Sequence, residues 1–458
     1  MTVRQITTSR RQSEFGKLGY PADSGLAGTR LSQKNVETAG GNSVSNAATR
    51  LLGMLALVLA GEAIFFLPFG VTRHFGPTFL EVFGVGDAEL GRMQAVYGLV
   101  AALAYLVGGG FADSIQPRKL LAGSLLATGL SGLYLASIPS ATGLYGLYAF
   151  WGASTIVPFW SALIRATRDW GEGREQGVAF GVLDGGRGLI AALTGLLALW
   201  LFVLCFPDGA EGATSAQRLG GMRFVIYTYT AACFLAAIAA FLLVLPSRSM
   251  SAGQAAAGFD WQNFKECFAM RTVWLQAAIV AAAYTLFKGR DFYTRYAHDV
   301  WGWTEIETAE VSTLSVWVRP VAAIGAGVLA DRWRSTRVIS SCFVLSAFVY
   351  VSFLLTTPAA STAALLWTNV MLSCVAIFAL RGVYFAVMEE AAIPRRLTGA
   401  AVGVISFVGF LPEIFVPLIG GALVEGSQGG YATLFSLMFV ASLGGLTATV
   451  TLERSLAK

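Results

Sequence analysis

The sequence predicts an all-α polytopic membrane protein, with twelve transmembrane helices in two six-helix pseudo-symmetric bundles. Three observations carry that prediction: bulk apolarity, a count of twelve apolar spans, and the places where charge enters them. Of 458 residues, 55% are hydrophobic and 13% charged, with a mean hydropathy of +0.63. Soluble domains are about one quarter charged, so this chain belongs in a bilayer. Crossing about 30 Å of hydrocarbon takes about 20 residues, and twelve spans use most of the chain.

Charge avoids every third span. Leu120–Ile138, Phe224–Leu245, Val338–Leu355 and Tyr431–Val450 hold no interior Asp, Glu, Lys, Arg or His. Glu62, Asp184, Arg187, Lys288, Arg290, Asp291, Arg319, Arg381 and Glu413 all fall in the other spans. A charge in hydrocarbon costs about 2.5–3.5 kcal/mol even on the lenient insertion scale, so such residues face protein or a wet cavity. A three-helix period therefore separates lipid-facing spans from cavity-facing ones, as expected of a solute carrier.

Taken in order, residues 1–46 are rich in Ser, Gly, Asn, Gln and Arg, with no apolar core before Leu51. They read as a disordered cytoplasmic tail rather than a signal peptide. Residues 47–246 form the N-terminal bundle and 272–458 the C-terminal one. Between them, residues 247–271 form a cytoplasmic linker, in which Phe259–Phe268 reads as a short amphipathic helix at the membrane surface. Orientation follows from basic residues. With the N-terminus inside, the inner segments collect Arg118/Lys119, Arg165/Arg168/Arg174, Arg248/Lys265/Arg271, Arg332/Arg334/Arg337 and Arg395/Arg396, and the outer loops hold few. The expected location is the inner (plasma) membrane, with both termini cytoplasmic.

Several function classes lack their residues. The net charge of +5 sits in loops beside spans and gives no nucleic-acid signal. Cys205, Cys233, Cys267, Cys342 and Cys374 show no Cys-x-x-Cys spacing, so no disulfide framework or metal site follows. There are two histidines, His74 and His298, both near outer helix ends, and no phosphate-binding Gly-Lys-Ser/Thr loop. No enzyme and no cofactor are expected, and the energy source is an ion or solute gradient.

The halves repeat. Gly109-Gly110-Phe111-Ala112-Asp113 precedes span three, and Gly327-Val328-Leu329-Ala330-Asp331 precedes span nine; basic residues follow both. Gln176–Val182 matches Thr398–Val404, and Thr72-Arg73 matches Thr294-Arg295. Two repeats that both start inside are related by an axis along the membrane normal.

At these residues the chain resembles the major facilitator superfamily, over nearly everything after residue 47. That superfamily's signature is Gly-x-Leu-Ala-Asp-Arg-x-Gly-Arg-Lys between spans two and three. Gly109, Ala112, Asp113 and Arg118 keep its sense, while Ser114, Gln116 and Pro117 depart from it; Gly327–Arg332 is a closer second copy at its start. Asp184-Gly185-Gly186-Arg187-Gly188 and Leu380-Arg381-Gly382-Val383-Tyr384 look like a poorly characterised bacterial branch. The resemblance implies that Asp113, Arg118, Asp331 and Arg332 serve a cytoplasmic gate, and that spans one, four, seven and ten line a central cavity.

The residues agree with that arrangement. Tyr284, Lys288, Asp291 and Arg295 fall at i, i+4, i+7 and i+11, one face of span seven. Arg381, Tyr384 and Met388 share a face of span ten. Span one offers Glu62 among Phe65, Phe66 and Phe69, and span four offers Trp151, Phe159 and Trp160. An aromatic wall with a few convergent charges suits a small ionic solute. Lys288, Arg381, Tyr284, Asp291, Tyr384 and Trp160 are the substrate-binding candidates.

Each charge also has a structural reading. Asp184 and Arg187 stand i, i+3 and read as a buried structural pair. Lys288 and Asp291 share that spacing and either pair or meet the solute. Arg319 precedes Pro320, whose kink frees carbonyls that it could satisfy. Arg381 has no acid within one turn, so its counter-charge comes from another helix or from the solute. Glu62 also lacks a local partner and is either a proton-coupling carboxylate or fixed by Arg381 or Lys288; Glu413, after Pro412, is the second proton-coupling candidate.

The sequence thus predicts a secondary active transporter of a small organic anion, by alternating access, proton-coupled or exchanging. Its partners would be the solute, protons or a counter-solute, and lipid, with the chain a monomer. An exporter of amphipathic cationic or neutral compounds, or a transporter-like solute sensor signalling through the tail or linker, remain open as alternatives.

Overall fold

The computed structural model describes residues 48–171, 175–204, 214–246, 261–303, 305–426 and 429–456. The 1–46 tail and most of the linker lie outside the described residues. The described chain is helical throughout and folds as twelve spans in two six-helix bundles.

Five spans are broken. Span α1 runs Ala48–Ala63, widens into a π-helical turn at Phe66–Gly70, bends by 41°, and continues as Val71–Phe83. Pro68 has no N–H to give, and the Gly70 N–H reaches back five residues to the Phe65 carbonyl instead. Span α4 is Ala141–Ser154 and Trp160–Trp170. Pro158 withdraws the N–H that would serve the Ser154 carbonyl, and the Ser124 hydroxyl donates to that carbonyl in its place. Span α7 is Arg271–Gly289, a 3-10 turn at Arg290–Phe292, then Tyr293–Asp299. Span α10 is Ala363–Val383 and Val387–Glu390, and the Gln276 amide donates to the freed Tyr384 carbonyl at 2.9 Å. Span α11 is Thr398–Gly409 and Pro412–Gly426, broken where Pro412 enters.

The rest run straight through: α2 Asp87–Ser114, α3 Pro117–Ala136, α5 Gln176–Leu204, α6 Ser215–Leu243, α8 Glu305–Trp333, α9 Ser335–Leu355 and α12 Gly429–Leu456. Among the described residues, seven helices are long and apolar enough to cross a membrane alone, and nine if each bent pair counts as one span. Of the other three, α4 is cut into pieces of 14 and 11 residues, and α2 and α8 pass through residues whose side chains are not described. Four of the five breaks fall in α1, α4, α7 and α10, so each triplet of spans begins with a broken helix.

The charge-free third spans face outward. Leu126, Leu130 and Leu133 on α3, Leu235, Ile238 and Leu242 on α6, Val344, Phe348 and Leu355 on α9, and Leu437, Val440 and Leu443 on α12 are exposed apolar rows. Such rows are stable only against lipid. A short helix at Trp261–Ala269 meets α7 at 78°, within the linker, and its Glu266 pairs with Arg396 at 2.6 Å.

The bundles meet along α5 against α8 and α2 against α11. Gly177, Gly181, Gly185 and Gly188 give α5 a flat face. A Cβ at Gly181 would stand 2.6 Å from the Ala323 carbonyl oxygen, and one at Gly177 would stand 2.4 Å from that of Gly327. Backbones this close are the use small residues have in membrane helix packing.

Candidate functional site

Five of the nine charges predicted from sequence to be buried, Glu62, Asp184, Arg187, Arg319 and Arg381, converge halfway along the bundle interface. Asp184 on α5 accepts from Arg319 Nη2 at 2.9 Å and Nε at 3.2 Å, and from Arg381 Nη2 at 3.4 Å. One turn away, Arg187 reaches the Glu62 carboxylate of α1 at 3.4 Å. Glu62, Asp184 and Arg187 are each no more than 8% exposed. Arg187 lies over Phe65 and Trp160, at 5.6 and 5.7 Å from the ring centres, and Arg381 over Phe287 at 4.1 Å and Tyr284 at 5.9 Å. Flat guanidinium faces gain from such rings when desolvated.

The expected Asp184–Arg187 pair is replaced by pairs across helices. The i, i+3 offset sends Asp184 toward α8 and α10 and Arg187 toward α1, so each finds its partner off its own helix. Glu62 is held by Arg187, where the sequence offered Arg381 or Lys288. Arg319 forks onto Asp184 instead of satisfying carbonyls at Pro320. Arg381 takes its counter-charge from another helix, one of the two sources foreseen.

A second cluster lies toward the end away from the basic loops. Lys288 pairs with Glu413 at 3.0 Å and with Asp291 at 3.3 Å, and Arg290 meets Asp291 at 3.4 Å. The Tyr284 hydroxyl donates to Glu413. The Asp291 and Glu413 side chains are 47% and 46% exposed, against 16% for Lys288. Arg295, on the same predicted stripe, is exposed beyond the 3-10 turn.

An aromatic layer joins the two clusters. Phe410, at the break in α11, packs on Trp160 at 5.7 Å, Tyr105 at 5.3 Å and Tyr284 at 4.8 Å. Trp160 donates across the interface to Ser406 at 3.2 Å and meets Phe385 at 6.3 Å. Tyr384 is buried against Phe385. Trp151 faces the other way, donating to Ser131 of α3 at 2.7 Å, so it is core and not cavity wall.

The bundles are tied together at the basic-loop end. The Asp331 carboxylate accepts from the main-chain N–H of Gly177 at 2.7 Å and of Val178 at 2.8 Å, capping α5 from the opposite bundle. Arg168, 2% exposed at the end of α4, donates to the Ile393 carbonyl at 2.6 Å, Thr398 Oγ1 at 2.8 Å, Glu389 at 3.2 Å and the Met388 carbonyl at 3.4 Å. Met388 therefore lies past the break in α10 and serves this tie through its backbone. Arg118 sits over Phe241 at 5.8 Å, and Arg332 is exposed. The Asp113 side chain lies outside the described part of the chain.

Sequence reasoning missed Arg168, Phe410, Ser406 and Gln276. Arg168 reads as one of several loop arginines. Nothing local says that the opposite bundle covers it. Phe410 had a weak signal, the Gly409–Pro412 interruption beside Glu413.

Two six-helix bundles meeting over a buried ionic cluster define the architecture of a solute transporter. Residues 51–417 match the family model of the Major Facilitator Superfamily, and the chain belongs to that superfamily, as its signature residues implied. It is similar to two inner membrane proteins of Escherichia coli (strain K12). YqcE is 24% identical over 74% of this chain and 79% of its own length, and YihN is 24% identical over 88% and 95%. Among solved structures it shares its fold with the transporter FucP in the outward conformation (TM-score 0.68, 12% identity, 86% of this chain and 97% of that one). A bacterial homologue of the iron transporter ferroportin, outward-facing, gives 0.65 at 12% identity over 89% and 99%, and the human organic anion transporter MFSD10 gives 0.62 at 11% over 88% and 98%.

Proposed function

We propose that the chain is a secondary active transporter of a small organic anion in the inner membrane, working by alternating access with both termini cytoplasmic. The observation that carries the choice of an anion is the charge of the central cluster. Among the described residues, Arg187, Arg319 and Arg381 face Glu62 and Asp184, which leaves one positive charge uncompensated. Holding a lone charge at membrane depth costs about 2.5–3.5 kcal/mol at least, and an anionic solute removes that cost on binding. The peripheral cluster balances itself, two cations against two carboxylates.

Basic loops place the tied end at the cytoplasm. There Asp331 and Arg168 act as the inner gate, with Asp113 of the repeated loop motif as the expected counterpart of Asp331. Glu413 is the proton-coupling carboxylate. It is half exposed on the side opposite the gate, and it is joined to the central site through Tyr284, whose ring lies under Arg381. Glu62 is the fixed counter-ion of Arg187.

Uptake into proteoliposomes tests this reading. Organic anions should enter, faster with an inward proton gradient, and Arg381→Gln should lose uptake while the protein still folds. Transport confined to amphipathic cations or neutral compounds would overturn the anion reading, and ligand binding with no transport would mark a sensor.

A further inference from the structure

Resting on the anion-carrier reading, we propose a narrower ligand class: a monovalent organic acid with a flat or apolar body, clamped between Arg187 and Arg381. The three arginines are not equivalent. Arg319 makes two hydrogen bonds to Asp184, and its stem packs where a Cβ on Gly188 would stand 2.8 Å away, so it is fixed in the frame. Arg381 reaches Asp184 with one long hydrogen bond, and its buried Nε has no partner. The Nε of Arg187 is also buried and makes no hydrogen bond; it lies 3.4 Å from the Glu62 carboxylate, a charge contact only. Buried N–H groups whose hydrogen bonds are unmade are costly, and a carboxylate supplies acceptors in the planar geometry that guanidinium groups favour.

Valence follows from the balance of the cluster. One carboxylate cancels the one uncompensated charge; a dianion would overshoot and leave a negative charge in a desolvated site. The body of the ligand follows from the walls. Phe65 and Trp160 lie under one guanidinium and Phe287 and Tyr284 under the other, with Phe410 spanning between Trp160 and Tyr284. These surfaces offer faces to a ring or branched chain and few partners to a polyol.

Calorimetric titration with probes that share one body isolates charge from shape: benzoate, isophthalate and benzamide, and separately butanoate, succinate and butanamide. At neutral pH the monoanion of at least one series should bind at least tenfold tighter than its dianion and its amide. Glu62→Gln adds one uncompensated positive charge and should move the monoanion-to-dianion preference at least tenfold toward the dianion. Arg187→Gln should move it toward the amide. Arg187→Lys keeps the charge, so it should weaken binding without changing the order and thereby control for misfolding. An unchanged preference in folded Glu62→Gln overturns the proposal. Binding of the dicarboxylates in place of both monoanions overturns the valence and leaves the anion carrier standing. Binding of the amides alone, or silence from every anion, overturns both.

Discussion

Asp184 on α5 and Arg319 on α8 form a forked pair at 2.9 and 3.2 Å, in the middle of the seam where α5 lays its glycine face on α8. The pair is both the electrostatic centre of the molecule and a bolt between its halves. Removing one partner of a buried pair leaves the other uncompensated, at about 3–5 kcal/mol. Asp184→Ala, which strands both Arg319 and Arg381, should therefore lower the melting temperature sharply. Arg381→Ala should lower it less, because Arg381 donates a single hydrogen bond of 3.4 Å. Thermal unfolding of the two purified variants compares them directly.

The gate should weaken in steps. Asp331→Asn removes the negative charge at the α5 N-terminus, worth about 0.3–1 kcal/mol, and leaves one amide oxygen to accept. Arg168→Ala removes a buried guanidinium that touches four acceptors across the interface. Cysteines placed at the basic-loop end should become more reactive to a polar thiol reagent in Asp331→Asn, and more reactive still in Arg168→Ala. Equal protection in all three proteins would remove both residues from the gate.

Gly181 should tolerate nothing large. A Cβ there already meets the Ala323 carbonyl oxygen at 2.6 Å and the Gly327 Cα at 3.1 Å, both backbone atoms that cannot swing away. Gly181→Leu should hold the bundles apart, abolish transport and raise thiol labelling at the basic-loop end. Gly98→Leu, on a helical glycine where an added Cβ meets nothing within 4 Å, is the control and should transport normally.

Proton coupling through Glu413 predicts a specific loss. Glu413→Gln keeps an acceptor for the Tyr284 hydroxyl but cannot exchange a proton or hold Lys288 by charge. Gradient-driven uptake should fall at least tenfold and lose its dependence on external pH, while equilibrium exchange of labelled solute persists. Glu62→Gln should leave the pH dependence of gradient-driven uptake intact.

Periodicity made much of this legible from the residues. The charge-free third spans do present exposed apolar rows, although α1, α5 and α11 also expose apolar residues such as Leu55, Leu193 and Leu418, and Pro412 marks the break in α11 in advance. Lys288 and Asp291 pair at the spacing that placed them together. What one helix cannot reveal is which neighbour its charges meet. Arg187 stands one turn from Asp184 yet pairs with Glu62, more than a hundred residues away in sequence, because α1 and α5 pack side by side. The Arg168 tie was illegible for the same reason: all four of its acceptors lie in the other half of the chain. Two of them are backbone carbonyls, which carry no sequence signal.

Binding of an anion by the buried excess of arginine is measured by thermal unfolding against a ligand panel. The panel holds organic acids, phosphate esters, amino acids, sugars and lipophilic cations. A ligand at about 100 times its dissociation constant adds about 2.7 kcal/mol to the folded state. Stabilisation by organic anions that vanishes in Arg381→Gln is the predicted result; stabilisation by cations or neutral amphiphiles, undiminished in Arg381→Gln, would contradict it.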